Sequence, residues 1–178
     1  MAAKGSADIT NLAFTNSGTV NVASGALSID TLSYRQTAGA TKLAGGVLIA
    51  QKEIDIAGGT LSGSGTVTGS VHNAGTVSPS TTSGVLDITG AYQQTSSGVL
   101  SSVITGTTPG TKFGQLSVGA QATLAGTLKV NTSGFTPAHG QAFAILLYHT
   151  RSGTFATLAG HPTYTIAYRA TAAKVKYP

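Results

Sequence analysis

Polar and apolar residues alternate with a period of two along most of this chain. Thr19-Val-Asn-Val22, Ala26-Leu-Ser-Ile29, Glu53-Ile-Asp-Ile56, Leu86-Asp-Ile-Thr89, Gln115-Leu-Ser-Val118 and Thr127-Leu-Lys-Val130 follow one another with Gly, Asn, Ser and Pro between them. A strand with one face in a core has this pattern, because successive side chains point to opposite sides. Thr and Val dominate the runs, and β-branched side chains suit extended backbone. No stretch repeats apolar residues at helical spacing over two capped turns. The pattern predicts strands throughout and almost no helix.

The runs also recur as blocks. Asn16-Ser-Gly-Thr-Val20, Ser24-Gly-Ala-Leu-Ser-Ile29 and Tyr34-Arg-Gln-Thr37 return in the same order as Asn73-Ala-Gly-Thr-Val77, Ser83-Gly-Val-Leu-Asp-Ile88 and Tyr92-Gln-Gln-Thr95, at offsets of 57, 59 and 58 residues. A smaller unit, Gly-Thr followed by an apolar residue, appears at Gly59, Gly65, Gly126 and Gly153. Self-similarity on this scale implies stacked supersecondary units. Short strands at such spacing also fit an antiparallel sandwich or barrel. The turns, however, are Gly-Gly, Ala-Gly and Ser-Gly pairs, with few of the Asn-Gly hairpin signals, and the interior set is small. The expected fold is therefore all-β, a parallel β-solenoid (β-helix) with a C-terminal β cap. Residues 1–130 read as the repeat region and 131–178, where most aromatics gather, as a capping β-structure of the same domain. A coil of ~20 residues stacked at ~4.8 Å makes a rod ~40 Å long.

Composition sharpens this picture. Charged residues are only 8% of the chain, yet 40% is apolar, enough to build a core rather than a disordered segment. Cysteine is absent, which removes disulfides, thiolate metal sites and a Cys nucleophile. Residues 1–15 show no apolar leader segment, and the longest apolar stretch, Ala142 to Tyr148, is too short to span a bilayer. The net charge of +5 is unevenly placed: all five acids lie at or before Asp87, and six cations follow it. A basic half attracts anionic polymers or membrane surfaces, although six cations over ninety residues also read as plain solvating groups. The dense basic clusters and interleaved aromatics of a nucleic-acid reader are missing.

Gly58-Gly-Thr-Leu-Ser-Gly-Ser-Gly-Thr-Val-Thr-Gly69, Val71-His-Asn-Ala-Gly-Thr-Val-Ser-Pro79, Leu86-Asp-Ile-Thr-Gly-Ala-Tyr-Gln-Gln-Thr95 and Ala122-Thr-Leu-Ala-Gly-Thr-Leu128 resemble the passenger-type β-solenoid repeats of bacterial autotransporters and related surface adhesins. The resemblance covers about residues 58 to 160. It implies an extracellular or cell-surface location and a role as shaft or cap of an adhesin, fibre or matrix component. The translocator barrel and sorting tail of such proteins are not in this sequence, so the expected object is a mature secreted unit, a passenger fragment or a free-standing assembling subunit.

Candidate chemistry is sparse. Solenoid polysaccharide lyases and hydrolases converge several carboxylates on one face, whereas here only Glu53 and Asp55 are close, on the outside of one strand. His72, His139, His149 and His161 lack zinc-site spacing, and no Gly-x-Ser-x-Gly elbow is present. The expectation is a non-catalytic protein without cofactor or metal, not bound to nucleic acid and not inserted in a membrane. Its partners would be other copies, joined head-to-tail through terminal β-edges, or cell-surface and matrix polymers. Ile9, Leu12 and Phe14 are the candidate assembly edge. The alternative is a carbohydrate- or ice-binding module whose lateral faces present Thr66, Thr68, Thr76, Tyr34 and Tyr92.

Overall fold

Alternation settles which side chain faces in, and stacking does the rest. In the computed structural model, which describes residues 5–178 apart from 11, 31, 32, 81, 83 and 161–163, each coil of chain lays one strand on each of three faces, here A, B and C. Coil 1 is β1 (Ser6–Thr10), β2 (Ala13–Asn16) and β3 (Thr19–Val22). Coil 2 is β4 (Ala26–Asp30), β5 (Ser33–Gln36) and the first half of β6 (Ala40–Ala50), which turns the corner into coil 3. Coil 3 continues through β7 (Ile54–Ile56) into β8 (Thr60–Thr68), which turns likewise into coil 4, completed by β9 (Val71–Asn73) and β10 (Thr76–Pro79). Coil 5 is β11 (Leu86–Ile88), β12 (Tyr92–Gln94) and β13 (Val99–Ile104). Coil 6 is β14 (Leu116–Leu124), bent over faces A and B, and β15 (Thr127–Thr132). Coil 7 is β16 (Ala142–Gly153), bent in the same way, and β17 (Thr157–Gly160).

Every pairing between successive coils is parallel. The fold is a parallel β-solenoid. On face A, Ser6, Ala26, Val47, Thr66, Asp87, Ser117 and Leu147 form one file. The file advances by about 20 residues per coil as far as Asp87, and by thirty from 87 to 117 and again from 117 to 147. The block repeat of 57 to 59 residues is thus three coils: Asn16 and Asn73 end face B of coils 1 and 4, and Tyr34 and Tyr92 lie on face B of coils 2 and 5. Because the later coils are longer, the described residues make seven coils, a stack of about 30 Å rather than the longer rod that a uniform coil implies.

The extra residues in coils 5 and 6 build the far end. They bring Phe113 and Phe135 against Phe143, with ring centroids 5.5 and 6.2 Å away and near-perpendicular planes; Tyr164 and Tyr177 extend the cluster. Edge-to-face packing of this kind adds to the burial of large rings. Residue 131 falls inside β15, and parallel stacking runs on through β16 and β17. Antiparallel pairing begins only with β18 (Thr165–Tyr168) and β19 (Ala172–Lys176), a hairpin whose β19 pairs with β16. No helix occurs among the described residues.

The core between the faces is filled by stacked aliphatic files, such as Leu48, Val67, Ile88 and Val118 on face A, all buried. Corners need glycine where the chain turns tightly under its neighbour. Gly63 has φ +104°, and a Cβ there would stand 1.8 Å from the Leu43 carbonyl oxygen, so no other residue fits without moving the coil above.

Candidate functional site

The repeated Tyr-x-Gln motif faces inward. Tyr34 is 1% exposed and Tyr92 0%, so neither belongs to a lateral binding face, contrary to the expectation from sequence. Alternation along Ser33-Tyr-Arg-Gln36 puts Arg35 outside and both Tyr34 and Gln36 inside, and in the second copy Gln93 takes the outer place. Inside, these residues form polar knots at the corner between faces B and C. Tyr34 donates to Thr41 Oγ1, which donates to Gln36 Oε1 at 2.6 Å. Asn16 Nδ2 reaches the same Oε1 and the Ala40 carbonyl, both at 3.3 Å, and Gln36 Nε2 donates to Gly58 O at 3.0 Å. In the second copy Asn73 donates to the Tyr92 hydroxyl at 3.0 Å, which donates to Gln94 Oε1 at 2.7 Å. Gln94 Nε2 then faces the carbonyls of Gly98, Ala125 and Thr127 at 2.8 to 3.0 Å. Burial raises the pKa of both tyrosines, against the smaller opposing pull of their hydrogen bonds. The knots satisfy buried backbone at the corners.

The three candidate threonines do not share a face. Thr66 and Thr68 lie on face A, in files where Thr66 sits between Val47 and Asp87 and Thr68 beside Ile49. Thr76 lies on face C, in the file Thr19, Ala40, Thr60, Thr76, Val99, Thr127, Thr157. Thr127 and Thr157 were not singled out from sequence. The signal for Thr127 was the Gly-Thr-apolar unit, which opens face C in coils 1, 3, 4 and 6, although its copy at Gly65 lies on face A.

Face B carries an outward file of Thr15, Arg35, Asp55, His72, Gln93, Thr123 and Ser152. Asp55 is held by Arg35 at 3.4 Å and His72 Nδ1 at 3.1 Å, rather than acting with Glu53. Arg35 is 58% exposed, so this is a solvated ion pair of small worth. No group of three or more metal-ligating side chains occurs among the described residues. His161 lies outside them.

The proposed edge residues do meet at one end. β1, β2 and β3 pair with coil 2 on one side only, and their other edges are unpaired among the described residues. Ile9 and Phe14 are half-buried on this last layer, with the Phe14 ring 5.2 Å from that of Tyr34. Leu12 is 65% exposed and is the one exposed large apolar side chain among the described residues. A recess of about 140 Å³ at another corner of this end, lined by Gly5, Ala7, Val22 and Leu27 among others, is smaller than a ligand pocket of roughly 300 Å³ or more. The far end differs. Face A extends two strands beyond coil 7, through β19 and β18, while among the described residues faces B and C stop at β16 and β17.

No family model matches this chain, and no curated protein matches it.

Proposed function

We propose that this is a non-catalytic extracellular structural protein, a subunit or shaft of a bacterial surface fibre or adhesin that joins its neighbours through β-edges. The observation that carries the reading is coil 1, whose three strands each have an outer edge unpaired among the described residues, with Ile9, Leu12 and Phe14 in this last layer. Open edges of this kind add strands from another chain. Head-to-tail growth sets an edge strand of coil 1 on the outer edge of β18, which stands highest at the far end, and such a heterologous contact propagates into filaments; contact between two coil 1 ends stops at a dimer. Electron microscopy with sedimentation of the purified protein separates these outcomes. A monodisperse short rod at every concentration sinks the reading. So does assembly that survives Phe14→Lys and Leu12→Lys together.

A binding module for carbohydrate or ice is the second reading, and the threonine file of face C favours it. Five threonines in one file repeat at the ~4.8 Å coil spacing, interrupted by Ala40 and Val99. Shaping of ice crystals, or a glycan-array signal lost in Thr60→Tyr with Thr76→Tyr, supports it; neither effect in the wild type excludes it.

A further inference from the structure

We propose that the outer face of the antiparallel cap is a binding shelf for an acidic polysaccharide. In the sheet β16–β19–β18, Lys174 lies between Ala144 and Ala167, and Lys176 between Ala142 and Thr165. The bond from Arg169 N to Ala172 O, 2.7 Å, extends the hairpin pairing by one step, which sets Arg169 on the same side. Val175 and Ala173, the alternate residues of β19, are buried underneath. Outward positions on a strand lie ~6.8 Å apart, so the three cations span ~14 Å of sheet. Their neighbours are alanine and threonine, with Leu147 beside Ala172 in the row of Arg169.

Two ordinary explanations for such cations do not apply. There is no acid anywhere in residues 88–178, and the described ion pairs all centre on Asp55, on face B. Lysines also guard exposed sheet edges, but β19 is the central strand here, paired on both sides, while the edge strand β18 reads Thr165-Ile-Ala-Tyr168 without charge. Cations gathered without neutralising partners create a positive potential that draws a polyanion. The first 87 residues hold four cations and five acids, so that potential is confined to the capped end of the rod.

The surroundings select the kind of polyanion. Single-stranded nucleic acid is held by aromatics on which its bases stack, and the tyrosines nearest the shelf are otherwise engaged. Tyr148 is buried, with its hydroxyl donating to Arg169 O at 2.9 Å. Tyr168 accepts from Phe155 N, and its ring lies 4.5 Å from the Arg151 guanidinium. An anionic bilayer needs apolar side chains that protrude into it, and the shelf offers alanine methyls and a single half-buried leucine, Leu147. Carboxylate- or sulfate-bearing sugars need cations, room for a broad chain and a hydroxyl, which Thr165 provides.

Calorimetry with polygalacturonate, and with dextran as the uncharged polymer, tests this on the whole protein. Polygalacturonate binds and dextran does not, and binding weakens at least about tenfold between about 20 and 200 mM salt. The variant Lys174→Gln, Lys176→Gln, Arg169→Gln loses about tenfold or more, whereas Lys42→Gln with Lys52→Gln keeps wild-type affinity. Absence of binding, or equal binding by the triple variant, overturns the proposal. It is also overturned if oligo-dT or phosphatidylglycerol-containing vesicles bind more tightly through the same residues. Should the triple variant lose its far-UV spectrum, amine labelling of the wild type decides. Polygalacturonate protects Lys174 and Lys176 and leaves Lys42 and Lys52 reactive, and uniform labelling refutes the shelf.

Discussion

Coils 1–2 and coils 4–5 carry the same Asn, Tyr and Gln at the same corner, yet the two knots are wired differently. In the first, Thr41 stands between the Tyr34 hydroxyl and Gln36. In the second, the residue in that file is Leu100, so Tyr92 donates to Gln94 directly and accepts from Asn73. Gln36 is drawn on by Asn16 and Thr41 and donates to one carbonyl, whereas the two N–H groups of Gln94 are shared among three. The depth differs as well: the first knot sits one coil from the open end, and the second is covered on both sides. A repeated sequence therefore specifies a repeated position, and the residues stacked above and below decide what that position does.

The largest expected effect breaks the second knot. Gln94→Leu strips an amide from three corner carbonyls and should cost about 3 kcal/mol, against about 1 to 2 for Gln36→Leu. Urea midpoints at constant slope measure both, and equal losses would remove the distinction between the copies. Next, Tyr92→Phe leaves Gln94 Oε1 and one Asn73 donor bond unmade and should cost about 1.5 kcal/mol. Tyr34→Phe removes the bond to Thr41 and the weaker one with Asn16, next to the open end, and a cost equal to that of Tyr92→Phe contradicts the difference between the copies.

Alkaline titration gives a smaller but cleaner contrast. A tyrosine whose pKa is higher folded than unfolded contributes its stability in full below the unfolded value of about 10 and loses it progressively above. Both tyrosines are raised by burial, so thermal stability should fall above about pH 10. The fall should be shallower in Tyr92→Phe, and an unchanged slope would show that this hydroxyl is not held neutral by the fold. Smallest of all is the exposure difference between the copies. Amide exchange should be fastest in β1 to β3 and slowest in β9, β12 and β14, and uniform protection would mean that coil 1 is covered in solution.

Much of the architecture was legible in the chain. The period-two pattern marked strands such as Glu53-Ile-Asp-Ile56, with Ile54 and Ile56 inside and Asp55 outside, as found. The block repeat marked stacked coils. Tyr34 and Tyr92 were misplaced because tyrosine and glutamine carry polar groups, so Tyr-x-Gln does not announce an inward face by hydrophobicity. The charged Arg35 between them was the available clue. Thr66, Thr68 and Thr76 point outward, but their division between two faces was not legible. Gly-Thr-apolar looks alike at Gly59 and at Gly65, but one opens face C and the other follows a corner onto face A.

By itself, then, the sequence determined that this chain is all-β, that it coils in parallel, and which aliphatic residues along each run point inward. Those properties follow from steric preference and from the two-residue period of a strand, both local. Only the tertiary structure decided which residues stand in file: Thr60 on Thr76, Asp55 between Arg35 and His72, Lys174 between two alanines. Neighbours in successive coils lie from 16 (Thr60 and Thr76) to 30 (Asp87 and Ser117) residues apart and are joined through corners of variable length. One residue more or less at a corner changes every partner downstream while leaving the local alternation untouched.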